Sequence, residues 1–301
     1  MTPYHVSVLQ KESVDGLEVN PNGVYVDITH GGGGHSHEIL SRLSRKGRLI
    51  AFDRDADAQE FSAADDKRLT LVRGNFRFLR SYLRYHSVEE VDGILGDLGM
   101  SWHQLDTAER GFSFRFDAPL DMRMNRQSER TAATLLNTYS AQELGKIFTD
   151  YGELSSAFKI AKFIEAARQK SRITTANELV DAIRPMLPPF DEHKYLARVF
   201  QALRIEVNQE MQALEQMLEQ AAKVLKKGGR ISIITYHSLE DRMVKRFIKH
   251  GSASGKAEKD VFGNTSAPFE AVNKKVMLPG KAEVQQNTRA RSAKLRIAQK
   301  R

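Results

Sequence analysis

The 301 residues contain no cysteine, which excludes disulfides, thiolate zinc sites and a cysteine nucleophile. Nor does any stretch reach the roughly eighteen uninterrupted apolar residues that a bilayer span requires. The start, Met1-Thr2-Pro3-Tyr4-His5, lacks both the basic beginning and the apolar run of a secretory signal. A cytoplasmic chain with no membrane partner is therefore expected. Tryptophan occurs once, at Trp102. What is present, 41% hydrophobic and 28% charged residues, suffices to build one large or two modest globular units.

Charge is distributed unevenly. The net balance is +8, but residues 223–301 carry 19 Lys and Arg against 6 Asp and Glu, a balance of +13 that leaves −5 for the rest. A basic segment on a slightly acidic body suits a polyanion such as nucleic acid, because Lys and Arg release counterions when they meet phosphates. A solvated basic tail would look the same by charge alone.

Hydrophobic periodicity over the first hundred residues alternates strand and helix. Val24–Ile28, Arg48–Asp53, Leu69–Val72 and Val91–Asp97 read as buried strands, and Ser36–Leu43 as a helix, so a parallel sheet covered on both faces is expected. From about Arg115 to Phe200 no strand pattern occurs. Ser140…Glu143 and Thr175…Glu178 read as capping boxes, and Ile160, Phe163, Ile164 and Ala167 fall at one-face helical spacing. Pro185, Pro188 and Pro189 close the following helix. A helix from about Asn208 to Leu225, stopped by Lys226-Lys227-Gly228-Gly229, precedes a fifth strand, Arg230–Tyr236. Gly251–Pro268 reads as a loop, and Phe269–Leu278 with Ala293–Ala298 as late, antiparallel strands. The fold class is thus α/β: a Rossmann-like doubly wound sheet from residues 1–114 and 201–301, with residues 115–200 as an all-helical insert.

Asp27-Ile28-Thr29-His30-Gly31-Gly32-Gly33-Gly34-His35-Ser36 lies where the first strand turns into the first helix, the end of such a sheet at which ligands collect. A glycine cluster alone marks only a tight turn. Asp53, 22 residues after Gly31 at the tip of the next strand, falls where a ribose-binding carboxylate belongs. A dinucleotide loop would carry glycine where Ser36 stands. Asp27, placed ahead of the glycines, would repel a pyrophosphate and favour the ammonium and sulfonium of S-adenosylmethionine, so the methyl donor is the expected cofactor. Asp97 ends the fourth strand, where it would either accept hydrogen bonds from an exocyclic amine being methylated or hold the cofactor. An Asp that merely caps the next helix is the plainer alternative. Trp102 offers a flat ring for a flipped base, or for ordinary packing. His30, His35 and His37 lack partners for a metal site, and none is expected.

These residues carry a family resemblance. Gly32–Ser36, Ala51–Asp55, Asp97-Leu98-Gly99, Gln104-Leu105-Asp106, Arg110–Phe114, Pro119–Met124, His237–Arg242 and Arg289–Ser292, in that order, resemble the bacterial ribosomal RNA small subunit methyltransferase H family from His5 to Gln299. The resemblance implies a class I S-adenosylmethionine-dependent methyltransferase core interrupted by a helical insert. It also implies methylation of the N4 amino group of a decoding-centre cytidine in 16S ribosomal RNA of the small subunit. Carried over, the cofactor positions are Gly33, Gly34, His35, Asp53, Phe76, Asp97 and Gln104, with Asp97 also the catalytic candidate. The chain departs from the family pattern at His30 and at Ser101-Trp102-His103. Trp102, His237 and Arg242 are the candidate RNA contacts, joined on the basic C-terminal part by Lys245, Arg246, Lys249, Arg289 and Arg291. A homodimer is left open. The competing readings are an RNA-gripping assembly protein on an old cofactor fold and a nicotinamide-dependent dehydrogenase.

Overall fold

Apolar residues alternate along each central strand, and the alternation is resolved into two buried faces of a single sheet. A computed structural model of the chain describes residues 7–56, 66–255 and 267–301; the side chain of Trp102 lies outside this set, as do residues 256–266 of the expected loop. The strands are β1 (Val24–Asp27), β2 (Arg48–Asp53), β3 (Leu69–Arg73), β4 (Val91–Asp97), β5 (Leu225–Thr235), β6 (Phe269–Ala271) and β7 (Lys294–Lys300), in spatial order β3-β2-β1-β4-β5-β7-β6. The first five run parallel, and β7 is antiparallel to both β5 and β6. This is the doubly wound order that the family resemblance implies, and among the described strands β7 alone is reversed.

Val26, Ile50, Phe52, Ile94, Ile231 and Ile233 face one core, while Tyr25, Leu49 and Leu95 face another. Such period-two sorting is what strands buried on both sides require. The chain also forms helices α1 (Gln10–Asp15), α2 (Gly34–Arg42), α3 (Leu79–Tyr85), α4 (Trp102–Asp106), α5 (Ala132–Thr138), α6 (Ala141–Asp150), α7 (Ala157–Arg168), α8 (Ala176–Ile183), α9 (Glu192–Asn208), α10 (Glu210–Val224), α11 (Ser238–His250) and α12 (Lys281–Gln286). Of these, α3, α10 and α11 cover the first face, and α1 and α2 the second.

The chain divides into two compact units, Met1–Gly99 with Met211–Arg301, and Met100–Glu210. The second is helical and contains residues 115–200. Residues ahead of that range belong to it as well, because Phe112 is part of its core and Leu105 and Phe114 pack against it. Both expected capping boxes open helices here, Ser140 with Glu143 on α6 and Thr175 with Glu178 on α8.

Three local expectations are corrected. Phe163 is 38% exposed, because it lies at the flank of the stripe that buries Ile160 and Ile164 on α7. Asn208 ends α9 rather than starting the next helix: its amide accepts the Met124 N–H at 2.8 Å and donates to the Met122 carbonyl at 2.7 Å. Gln209 then takes a left-handed conformation (φ 51°) before α10 begins. Lys226–Gly229 belong to β5, where a register shift opposite Val91 and Gly93 absorbs them. The Lys226 ammonium contacts both oxygens of Asp92 at 2.9 Å, which holds the bulged segment down.

Gly111 tests the packing of the helical unit. Its φ is +68°, and a Cβ there would overlap the Pro119 carbonyl oxygen, a backbone atom that cannot swing aside. Gly111→Ala is expected to cost about 3 kcal/mol, read as a lower urea midpoint and melting temperature.

Candidate functional site

At the carboxyl edge of the sheet, the turn from β1 into α2 is organised by Asp27, whose side chain is fully buried. Its Oδ1 accepts the Thr29 N–H at 3.0 Å, and its Oδ2 accepts the Ser36 hydroxyl at 2.6 Å. With its proton committed to Asp27, Ser36 Oγ accepts from Nδ1 of His30 at 2.9 Å. The backbone N–H of His30 donates to the Phe52 carbonyl at 2.8 Å, stitching the loop to β2. Gly31 (φ 51°) and Gly33 (φ 81°) supply the left-handed steps that such a loop needs. Asp27 therefore builds the loop; it does not face the cationic end of a ligand, because its side chain is fully buried.

Asp53 ends β2 beside this loop. Its Oδ2 accepts the Gly31 N–H and its Oδ1 the Asp55 N–H, each at 2.8 Å. A carboxylate offers about four acceptor positions, so both oxygens keep capacity for a diol. Burial pushes its carboxyl above the ordinary range, against the pull of those two N–H groups. Among the described residues, a Cβ on Gly31 would find no neighbour nearer than 3.9 Å, so they leave the surface above this glycine open. The tip of β3 is brought alongside by the Gly74 N–H, which donates to the Asp53 carbonyl at 2.9 Å. Phe76 follows in the next turn, part-buried against the sheet core. Glycine backbone, open approach, ribose-type acid and aromatic ring together fit a nucleoside-bearing donor.

Asp97 ends β4. Its backbone N–H donates to Thr29 Oγ1 at 2.6 Å, tying this tip to the glycine loop. The Tyr236 hydroxyl donates to Asp97 Oδ1 at 2.8 Å, and His35 Nδ1 lies 3.7 Å from Oδ2. Desolvation dominates its environment and pushes the carboxyl up to about 6; His35 and the tyrosine bond pull it down, while Asp27 and Glu240 push it up. The side chain nonetheless keeps 23% exposure, so it is reachable.

The other candidates are placed as follows. His35 is buried, with Nε2 on the Val8 carbonyl at 3.1 Å and Nδ1 turned toward Asp97. Gly34 opens α2, but the space a Cβ would take there is filled by the Ser7 side chain, and its carbonyl accepts from Gln10 at 2.8 Å. Its missing side chain thus serves packing within the fold. Gln104, in the helical unit, is buried and completes the capping box of α4, accepting the Ser101 N–H at 3.2 Å. His237 is the N-cap of α11 and its side chain is 9% exposed, so little of it is offered to a large ligand. Arg242, Lys245, Arg246 and Lys249 are exposed on α11, and Arg289 and Arg291 are exposed as well. Tyr236 and Glu240 were not anticipated. Glu240, buried, accepts the Tyr236 N–H at 2.9 Å. The only sequence signal for Tyr236 was its position as the last residue of the fifth strand, next to the His237 block.

Comparison with known proteins gives consistent matches. A family model described as the MraW methylase family matches residues 2–301. A protein named ribosomal RNA small subunit methyltransferase H from Bacteroides thetaiotaomicron is 56% identical over 297 residues, covering 99% of this chain and 97% of its own. One of the same name from Bacteroides fragilis is 55% identical over 299 residues, covering 99% and 98%. Among solved structures, a putative rRNA-methylase from Clostridium thermocellum aligns over 99% of this chain and 100% of its own at TM-score 0.48 and 13% identity.

Asp97 yields a stability test. Because its carboxyl titrates at about 6 in the fold against an ordinary 3.8, the folded state holds a proton that the unfolded chain releases. The resulting cost is absent below about pH 4, grows up to about pH 6 and is complete above it. Asp97→Asn is therefore expected to raise stability by about 1–3 kcal/mol at pH 8. Denaturant titrations at pH 8 and pH 4 should show that gain vanish at the lower pH.

Proposed function

The chain belongs to the MraW methylase family, and from that premise we propose that it methylates the N4 amino group of a decoding-centre cytidine in 16S ribosomal RNA of the small subunit. The relatives' shared name supports ribosomal RNA as the substrate. The position on the base rests on the chemistry at Asp97. S-adenosylmethionine, when bound, supplies the electrophilic methyl group. Gly31 and Gly33 admit it to the backbone, Asp53 takes its ribose hydroxyls, and Phe76 packs against its adenine.

The observation that carries the reading is the reachable Asp97 carboxylate, fixed to the glycine loop through Thr29. An exocyclic amine is a poor nucleophile because its lone pair is delocalised into the ring. Asp97, once ionised, accepts one amino hydrogen and so returns electron density to the nitrogen. A preplaced acceptor of this kind accelerates reaction without reorganising during it. No cysteine is needed, which suits attack by nitrogen; methylation at a ring carbon commonly uses a thiol nucleophile.

RNA approach is assigned to the basic C-terminal part, where Val244, Phe247 and Ile248 anchor α11 in the core and its Arg and Lys side chains lie outside. These cations position phosphates and carry no base specificity.

Purified protein incubated with S-adenosylmethionine and small subunits is expected to yield N4-methylcytidine on nucleoside analysis of the RNA; a methyl group found elsewhere, or none, would overturn the assignment. Asp53→Ala should weaken donor binding about 100-fold by calorimetry, through loss of charge-assisted hydrogen bonds and of the Gly31 tether. Arg242→Ala should leave donor affinity unchanged, weaken RNA binding and reduce the slope of log K against log salt by about 1.

A further inference from the structure

We infer that Tyr236 is a positioning residue that holds Asp97 Oδ1 and thereby commits Oδ2 to the incoming amine. The inference rests on the methyltransferase reading and goes beyond it, to the group that aims the acceptor. A carboxylate free to rotate about χ2 would present either oxygen in many orientations. Here the backbone of the residue is bound to Thr29 at 2.6 Å, and one carboxylate oxygen is bound to the phenol at 2.8 Å, so the strand tip is fixed by the first and rotation of the carboxylate is restricted by the second.

Tyr236 is itself held in place. Glu240 accepts its N–H at 2.9 Å. Its ring packs against the cluster containing Ile234, Ala293 and Leu295. The chain leaving β4 crosses the ring at Gly99, whose φ of +105° and missing side chain permit the approach; a Cβ there would lie 3.3 Å from the ring. Burial and the neighbouring Asp97 carboxylate raise the phenol well above its ordinary range, so Tyr236 donates a hydrogen bond and keeps its proton.

The groups that act on Asp97 are His35 from α2, Tyr236 after β5, Asp27 from β1 and Glu240 from α11. The histidine and the phenol favour the ionised carboxylate, and the two acids oppose it. Loss of the phenol alone shifts that balance toward the protonated form, in which Oδ2 no longer accepts an amino hydrogen unaided.

The test is Tyr236→Phe, which removes a single oxygen, followed by single-turnover methyl transfer to small subunits from pH 5 to 9. The acidic limb of the rate profile is expected to move up by about one to two pH units, and the rate at its plateau to fall about tenfold. Donor affinity should stay within about twofold. Replacing Tyr236 by 3-fluorotyrosine, a stronger donor of the same shape, should move the limb the opposite way, a displacement that a brace would not produce. An unmoved limb in both variants, with the parent protein active, would overturn the role of Tyr236 and leave the methyltransferase reading intact. A parent protein that binds donor and methylates nothing would overturn both.

Discussion

A single buried acid organises the ligand edge of this protein. Asp27 has no exposure, and an uncompensated charge in that position would be prohibitively costly. It is compensated by Thr29 and Ser36, and each of these reaches onward: Thr29 Oγ1 to the backbone of Asp97, Ser36 Oγ to His30. The glycine loop, the tip of β4 and the start of α2 are thereby parts of one hydrogen-bonded network. Asp53, through the Gly31 N–H, and Asp97, through Thr29, are both positioned by this loop.

Asp97 illustrates what such a network makes tolerable. Two further acids, Asp27 and Glu240, lie near enough to disfavour its ionisation, and desolvation adds to them. A sequence selected for stability alone would place an amide there. On the proposed reading, the carboxylate serves as an acceptor for amino hydrogens, useful where water competes little for it, and the sheet that carries its cost in stability is apolar on both faces.

Between β4 and β5 the chain departs into a helical unit with its own core. Its entry and exit are marked by specific devices rather than by composition. Gln104 and Ser101 cap the first short helix. At the far end, Asn208 bonds to the backbone on both sides of Arg123, and Arg204 pairs with Glu210 at 2.9 Å across the left-handed Gln209. A buried ion pair adds little net stability, but it fixes where α9 ends and α10 begins.

Much of this was legible in the amino-acid order. Period-two runs ending at Asp53 and Asp97 gave the strands, because burial on both faces demands continuous apolar residues. Two capping boxes and a 22-residue interval from Gly31 to Asp53 gave helix starts and the acid that stands beside the glycine loop, because those signals are local. Local signals could not say that Asp27 is consumed inside the loop, that His237 is a helix cap, or that a phenol 139 residues away reaches Asp97. These follow only when β1, β4 and β5 lie side by side, since a side chain's partners are chosen by its neighbours in space. The chain's order determined which groups stand at the sheet's edge; tertiary structure alone decided which of them remain available to a ligand, because packing buries Asp27 completely and leaves Asp97 reachable.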